Sequence, residues 1–83
     1  MRFWHVNERE TVTIKRGDGI LHRVVINTPG GKLELFDSKK TGSNKIAVIN
    51  AQTQCSLEYG LRFGNGLSYV SNRGVQSITI VYE

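Results

Sequence analysis

Between Cys55 and Phe63 apolar and polar residues alternate without a break. Cys55, Leu57, Tyr59, Leu61 and Phe63 share one parity, and Ser56, Glu58, Gly60 and Arg62 share the other. Successive side chains of a strand point to opposite faces, so this spacing lines one face with five apolar groups and leaves the other wet. A helix would scatter the same five around its axis. The pattern predicts a long strand at a sheet centre, with its odd-numbered side chains as the inner lining. Shorter alternations repeat the signal. Val12 and Ile14 alternate with Thr11, Thr13 and Lys15; Leu33 and Leu35 with Lys32 and Glu34; Ile78, Ile80 and Tyr82 with Thr79 and Val81. The stretch Ile20 to Ile26 mixes parities and reads as a more central strand or one carrying a bulge.

Turn chemistry punctuates these runs at short intervals. Gly17-Asp18-Gly19 separates two strands, and Thr28-Pro29-Gly30-Gly31 combines a proline with residues that accept positive φ, a hairpin signal. Asp37 to Asn44 is a polar loop expected to carry the chain from one sheet to another. Asn50 to Thr53, Gly64-Asn65-Gly66 and Ser71 to Gly74 complete the set. The resulting strands lie near 2–6, 10–15, 20–27, 32–37, 45–50, 54–63, 67–70 and 76–82. Seven or eight short antiparallel strands with no helix between them predict a β-sandwich, jelly-roll-like in type, with a small closed β-barrel as the alternative. Residues 1–10 are expected to form an N-terminal arm or edge strand and residues 11–83 a single sandwich domain.

An 83-residue chain supports one modest core. Its 39% hydrophobic and 22% charged content is ordinary for a globular protein. The lone Cys55 offers no intrachain disulfide and no cysteine–histidine cluster offers a zinc site, which leaves oligomerisation as the expected staple. No apolar run matches a signal peptide or a membrane span, so the chain is expected to be made in a cytoplasm. The net charge of +4 comes from lysines and arginines interleaved with Glu8, Glu10, Asp18, Glu34 and Asp37. That distribution describes a mixed solvated surface more than a phosphate-binding stripe.

The segment Val12-Thr13-Ile14-Lys15-Arg16-Gly17-Asp18-Gly19-Ile20-Leu21-His22-Arg23-Val24-Val25-Ile26-Asn27, followed by Leu33-Glu34-Leu35-Phe36-Asp37-Ser38, resembles small β-sandwich structural proteins of tailed phages and prophages. Leu57-Glu58-Tyr59-Gly60-Leu61-Arg62-Phe63-Gly64-Asn65-Gly66-Leu67 and the ending Ile78-Thr79-Ile80-Val81-Tyr82-Glu83 fit the same pattern. The likeness spans about residues 11–83 and stops short of the first ten. It implies a virion component without enzymatic activity, of the capsid-decoration or fibre-associated type. The modest core and the small area of each face add the expectation of a dimer or trimer bound to a major capsid protein or another virion protein, with no cofactor.

Individual residues are weighed against that background. His22 and His5 are too isolated for a metal site and read as structural or solvent-facing. Cys55, on the apolar parity, reads as a small buried hydrophobe rather than a nucleophile. Glu34 and Glu58 read as outer-face charges paired with Lys32 or Arg62, and Asp37 as a strand-end group accepting backbone N–H bonds. No catalytic residue is expected. The segment Phe3-Trp4-His5 is the expected partner contact, because adjacent aromatics project to opposite faces and one of them then needs cover. Two other functions are carried: a basic nucleic-acid-binding barrel stacking bases on Trp4, Tyr59, Phe63 or Tyr69, and a carbohydrate-binding module of a host-recognition fibre using Trp4, Tyr69 or Asn72.

Overall fold

A computed structural model describes residues 1–38 and 44–83. Their secondary structure is all strand: β1 (Arg2–Val6), β2 (Thr11–Arg16), β3 (Gly19–Thr28), β4 (Lys32–Phe36), β5 (Lys45–Asn50), β6 (Cys55–Phe63), β7 (Gly66–Ser71) and β8 (Ser77–Tyr82). Each lies within two residues of the alternation-based expectation. The predicted polar loop falls largely on residues 39–43, outside the described residues.

The pairings run β1 with β8, β2 with β7, β3 with β6 and β4 with β5, all antiparallel. The first half of the chain therefore lies along the second half as one ribbon. Two further pairings, β3 with β8 and β4 with β7, roll that ribbon onto itself. The result is two four-stranded sheets, ordered β1-β8-β3-β6 and β2-β7-β4-β5. This is a jelly-roll sandwich. It is not a closed barrel, since each sheet keeps two free edges.

Only β4 and β5 are both consecutive and side by side in one sheet. Every other connection crosses between layers. Two expectations are corrected by this. Thr28-Pro29-Gly30-Gly31 is an inter-sheet crossing, not a hairpin, and β4 and β5, the strands on either side of Asp37 to Asn44, are neighbours in one sheet and not members of different sheets. Turn residues fix that the chain reverses; they leave open whether it reverses in the sheet plane or through it.

The core lies between the layers. Leu21, Val24, Ile26, Ile78 and Ile80 from one sheet face Leu33, Leu35, Ile49, Leu67 and Tyr69 from the other, all nearly inaccessible to solvent. The mixed parity of β3 has its physical source in a register shift between Leu21 and Arg23, which turns both Leu21 and Val24 inward.

β6 departs most from expectation. It is an edge strand, and its ladder is interrupted at Gly60, which has φ +56° and leaves Tyr59 and Gly60 opposite the single His22. Phe63 is buried and Cys55, Leu57 and Tyr59 pack half-covered against the core, but Leu61 is 40% exposed. An edge has a neighbour on one side only, so its inward parity is covered incompletely.

At one end of the sandwich Gly31 carries the crossing from β3 to β4. Its φ is +77°, and a Cβ there would stand 2.2 Å from the Val75 nitrogen. Gly31→Ala therefore meets both backbone strain and a backbone clash that no rotamer relieves, and is expected to cost about 2–4 kcal/mol. A urea titration of the variant checks this; a midpoint equal to wild type contradicts the packing described for this crossing.

Candidate interaction surface

A sandwich of this kind has four edge strands, here β1, β2, β5 and β6. Unpaired edge N–H and C=O groups are templates for another chain, and edges are commonly blunted by bulges, charges or proline. Three of the four are bulged on the edge strand itself. Ile14 is the extra residue of β2, between the pairs Thr13–Ser68 and Lys15–Leu67; Ile46 is that of β5; and the Tyr59–Gly60 step is that of β6. These strands also carry Lys15 and Arg16, Lys45, and Glu58 and Arg62 respectively. β1 differs. Its five residues pair with β8 in unbroken register, Arg2 with Tyr82 through Val6 with Ile78, with no proline and no glycine.

That register sorts the side chains of β1. Trp4 and Val6 share the face of Ile80 and Ile78, toward the core, and Phe3 and His5 share the outer face with Val81 and Thr79. Trp4 is half-buried, and its Nε1 donates to the Tyr69 hydroxyl at 3.0 Å. Tyr69 donates in turn to Glu10 Oε1 at 2.5 Å. Burial, then the bond to Glu10, pushes the Tyr69 phenol well above its ordinary range, so it remains a neutral donor. Buried Ser71 stitches down the same connection, its Oγ donating to the Glu8 carbonyl at 2.6 Å and accepting the Glu10 N–H at 2.9 Å. Trp4 thus belongs to its own domain. The expected partner segment splits, with Trp4 holding β1 in place while its neighbours face outward.

Phe3 is 69% exposed, the largest exposure of any aromatic among the described residues. Val81, also on the outer face, is buried between its register neighbours Phe3 and Arg23. His5 is exposed but engaged: its Nε2 lies 2.8 Å from Ser77 Oγ, while Asn27 Nδ2 donates to Ser77 Oγ at 3.3 Å and to Thr79 Oγ1 at 3.0 Å. The outer face beside β1 is therefore one exposed ring next to a tied polar network.

Elsewhere several ionisable groups are held by partners in their own chain. His22 Nε2 meets Glu83 Oε1 at 2.8 Å, and that contact holds the Glu83 carboxyl below its usual range. Glu34 sits between Lys45 and Lys32, at 3.3 and 3.4 Å, with Lys45 contributing most to lowering its pKa. Glu58 pairs with Arg23 across the sheet at 3.7 Å, not with Arg62. Asp37 accepts the N–H groups of Gly64 and Asn65 at 2.8–3.1 Å, the strand-end role expected of it. Desolvation opposes its ionisation, yet the backbone donors of Asn65, Gly64 and Gly66 outweigh it and keep the carboxyl low. Cys55 is a free thiol, half-buried against the core.

Among the described residues no cavity indents the surface and no group of three metal-ligating side chains forms. Phe63 and Tyr69 are buried and cannot serve as stacking platforms. Asn72 is committed to its own turn, accepting the N–H of Lys32 at 2.9 Å and of Gly74 at 3.2 Å. No helix is long and apolar enough to cross a membrane. No family model, curated protein or solved structure matches the chain.

Two outcomes follow from this geometry. Tyr69→Phe removes the hydroxyl shared by Trp4 and Glu10 and is expected to cost about 1–3 kcal/mol, with tryptophan emission shifted to the red; an unshifted spectrum contradicts the anchoring of β1. Glu34, Asp37 and Glu83 have folded pKa values below their ordinary 4.5, 3.8 and 4.5. The unfolded chain takes up these protons first on acidification, so their stabilisation is whole above that range and is lost as pH falls through the lower folded values. Unfolding free energy should fall steadily below about pH 4.5, and less steeply in Asp37→Asn; equal slopes contradict the capping role.

Proposed function

We propose that this chain is a non-enzymatic structural module of a tailed-phage particle, a capsid decoration protein that binds the assembled shell as a small oligomer, and that the β1 edge and the outer face carrying Phe3 are the surface through which it assembles. The observation that carries the docking surface is the contrast among the edges. β1 alone has an unbroken ladder, and it sets a largely exposed aromatic beside that ladder. Strand addition supplies main-chain hydrogen bonds at such an edge, and the neighbouring side chains supply selectivity.

The particle assignment rests on the sequence resemblance, with the jelly-roll architecture in support, since capsid and lectin domains both use it. The burial of Phe63 and Tyr69 counts against base stacking. A face of this size binds weakly by itself, and repeated attachment to a periodic shell raises the effective concentration of each further contact. A basic surface of net +4 is compatible with an acidic shell.

Purified virions provide the test. The protein should accompany intact particles in hundreds of copies, and Phe3→Lys should lose at least about tenfold in particle binding while its circular dichroism remains wild type. Absence from purified particles contradicts the particle assignment, and full binding by the folded lysine variant contradicts the docking surface.

A further inference from the structure

Resting on that docking reading for its choice of edge, we infer that β1 pairs with β1 of a second copy of this chain, antiparallel about a two-fold axis at Trp4. Two four-stranded sheets, β1-β8-β3-β6 in each copy, then become one sheet of eight. Isologous contacts of this type are the commonest way for identical chains to associate.

A strand added to β1 has three demands to meet. It must be regular over the full length of Arg2–Val6, bring a side chain to cover Phe3 on the outer face, and set no like charge opposite Arg2. β1 meets all three. An axis at Trp4 sets Phe3 against His5 of the second copy and His5 against its Phe3, two ring–ring contacts on the outer face. Arg2 then lies opposite Val6 of the second copy. Moving the axis to Phe3 or His5 leaves only a three-residue overlap within the strand, and the latter also opposes two histidines. Trp4 keeps its inward bond to Tyr69 throughout, so association requires no unfolding of either copy.

The edges of the other strands fit less well. β6 has its own symmetry, with Glu58 and Arg62 equidistant from Gly60, but Gly60 is left-handed and the extra residue there bends the ladder where the axis would fall. β2 and β5 are interrupted at Ile14 and Ile46. The unbroken edge and the exposed ring coincide only at β1.

Sedimentation of the wild type across a rising concentration series is the first measurement, with Phe3→Lys alongside. The wild-type mass should climb from 9.3 kDa toward twice that value. Phe3→Lys should weaken the association by roughly tenfold to a hundredfold, because each dimer loses two buried rings. The second measurement uses Cys55→Ser carrying Phe3→Cys and His5→Cys. Oxidation should yield a covalent dimer with residue 3 of one chain bonded to residue 5 of the other, a link that residues two apart on one strand are too far apart to close internally. A wild type that remains at 9.3 kDa throughout, or a dimer that ignores Phe3→Lys and is broken by Arg62→Glu instead, overturns the inference. A monomer that still binds particles leaves the docking reading standing, whereas a β1-linked dimer that never accompanies particles removes the docking reading and keeps the pairing.

Discussion

The fold depends on the pairing of β3 with β8. Without it β1–β8 and β3–β6 are separate two-stranded ladders, objects that are marginal in water. With it, Leu21, Val24 and Ile26 share a face with Tyr82, Ile80 and Ile78, and one continuous apolar surface meets the inner face of the other sheet. Strand parity makes that register all-or-nothing, since a slip of one residue would turn the same side chains to solvent. The ladder also decides the edges. Once β8 lies between β1 and β3, β1 and β6 are left at the margins of their sheet.

Those margins differ from one another. At β2, β5 and β6 the edge strand inserts a residue and spoils its own ladder. At β1 the chain does something different: the inward indole is tied to Tyr69 and, through it, to Glu10, and the connection behind it is tied to Ser71. A strand this short has little intrinsic hold on a sheet, so these side-chain bonds fix it in place while its outer margin stays regular. The ionisable groups described elsewhere are spent on neighbours in the same chain, His22 on Glu83 and Asp37 on the turn after β6.

Much of this was legible in the sequence. Alternation located all eight strands because a two-residue period is a local property that burial enforces. The central place and bulge of β3 were written in its mixed parity, and the role of Asp37 in its position before a polar segment. The position of β6 was not legible, because a one-sided strand and an edge strand alternate alike until the ladder partners are known. Leu61 shows the cost of that ambiguity: its parity is inward, yet Gly60 and the sheet margin leave it wet. The layer crossings were hidden for a similar reason, as turn residues report reversal and not direction. Phe3 and Trp4 were legible as a pair facing opposite ways. Which of them is anchored became visible only through Tyr69, sixty-five residues downstream.

Amide hydrogen exchange, compared between the dilute chain and the chain bound to its target surface, probes the central claim most directly. The account predicts deep protection of β3 and β8 in both states, with new protection on binding confined to β1 and the outer-face residues beside it. Protection arising instead at β6 or β5, with β1 unchanged, would contradict it.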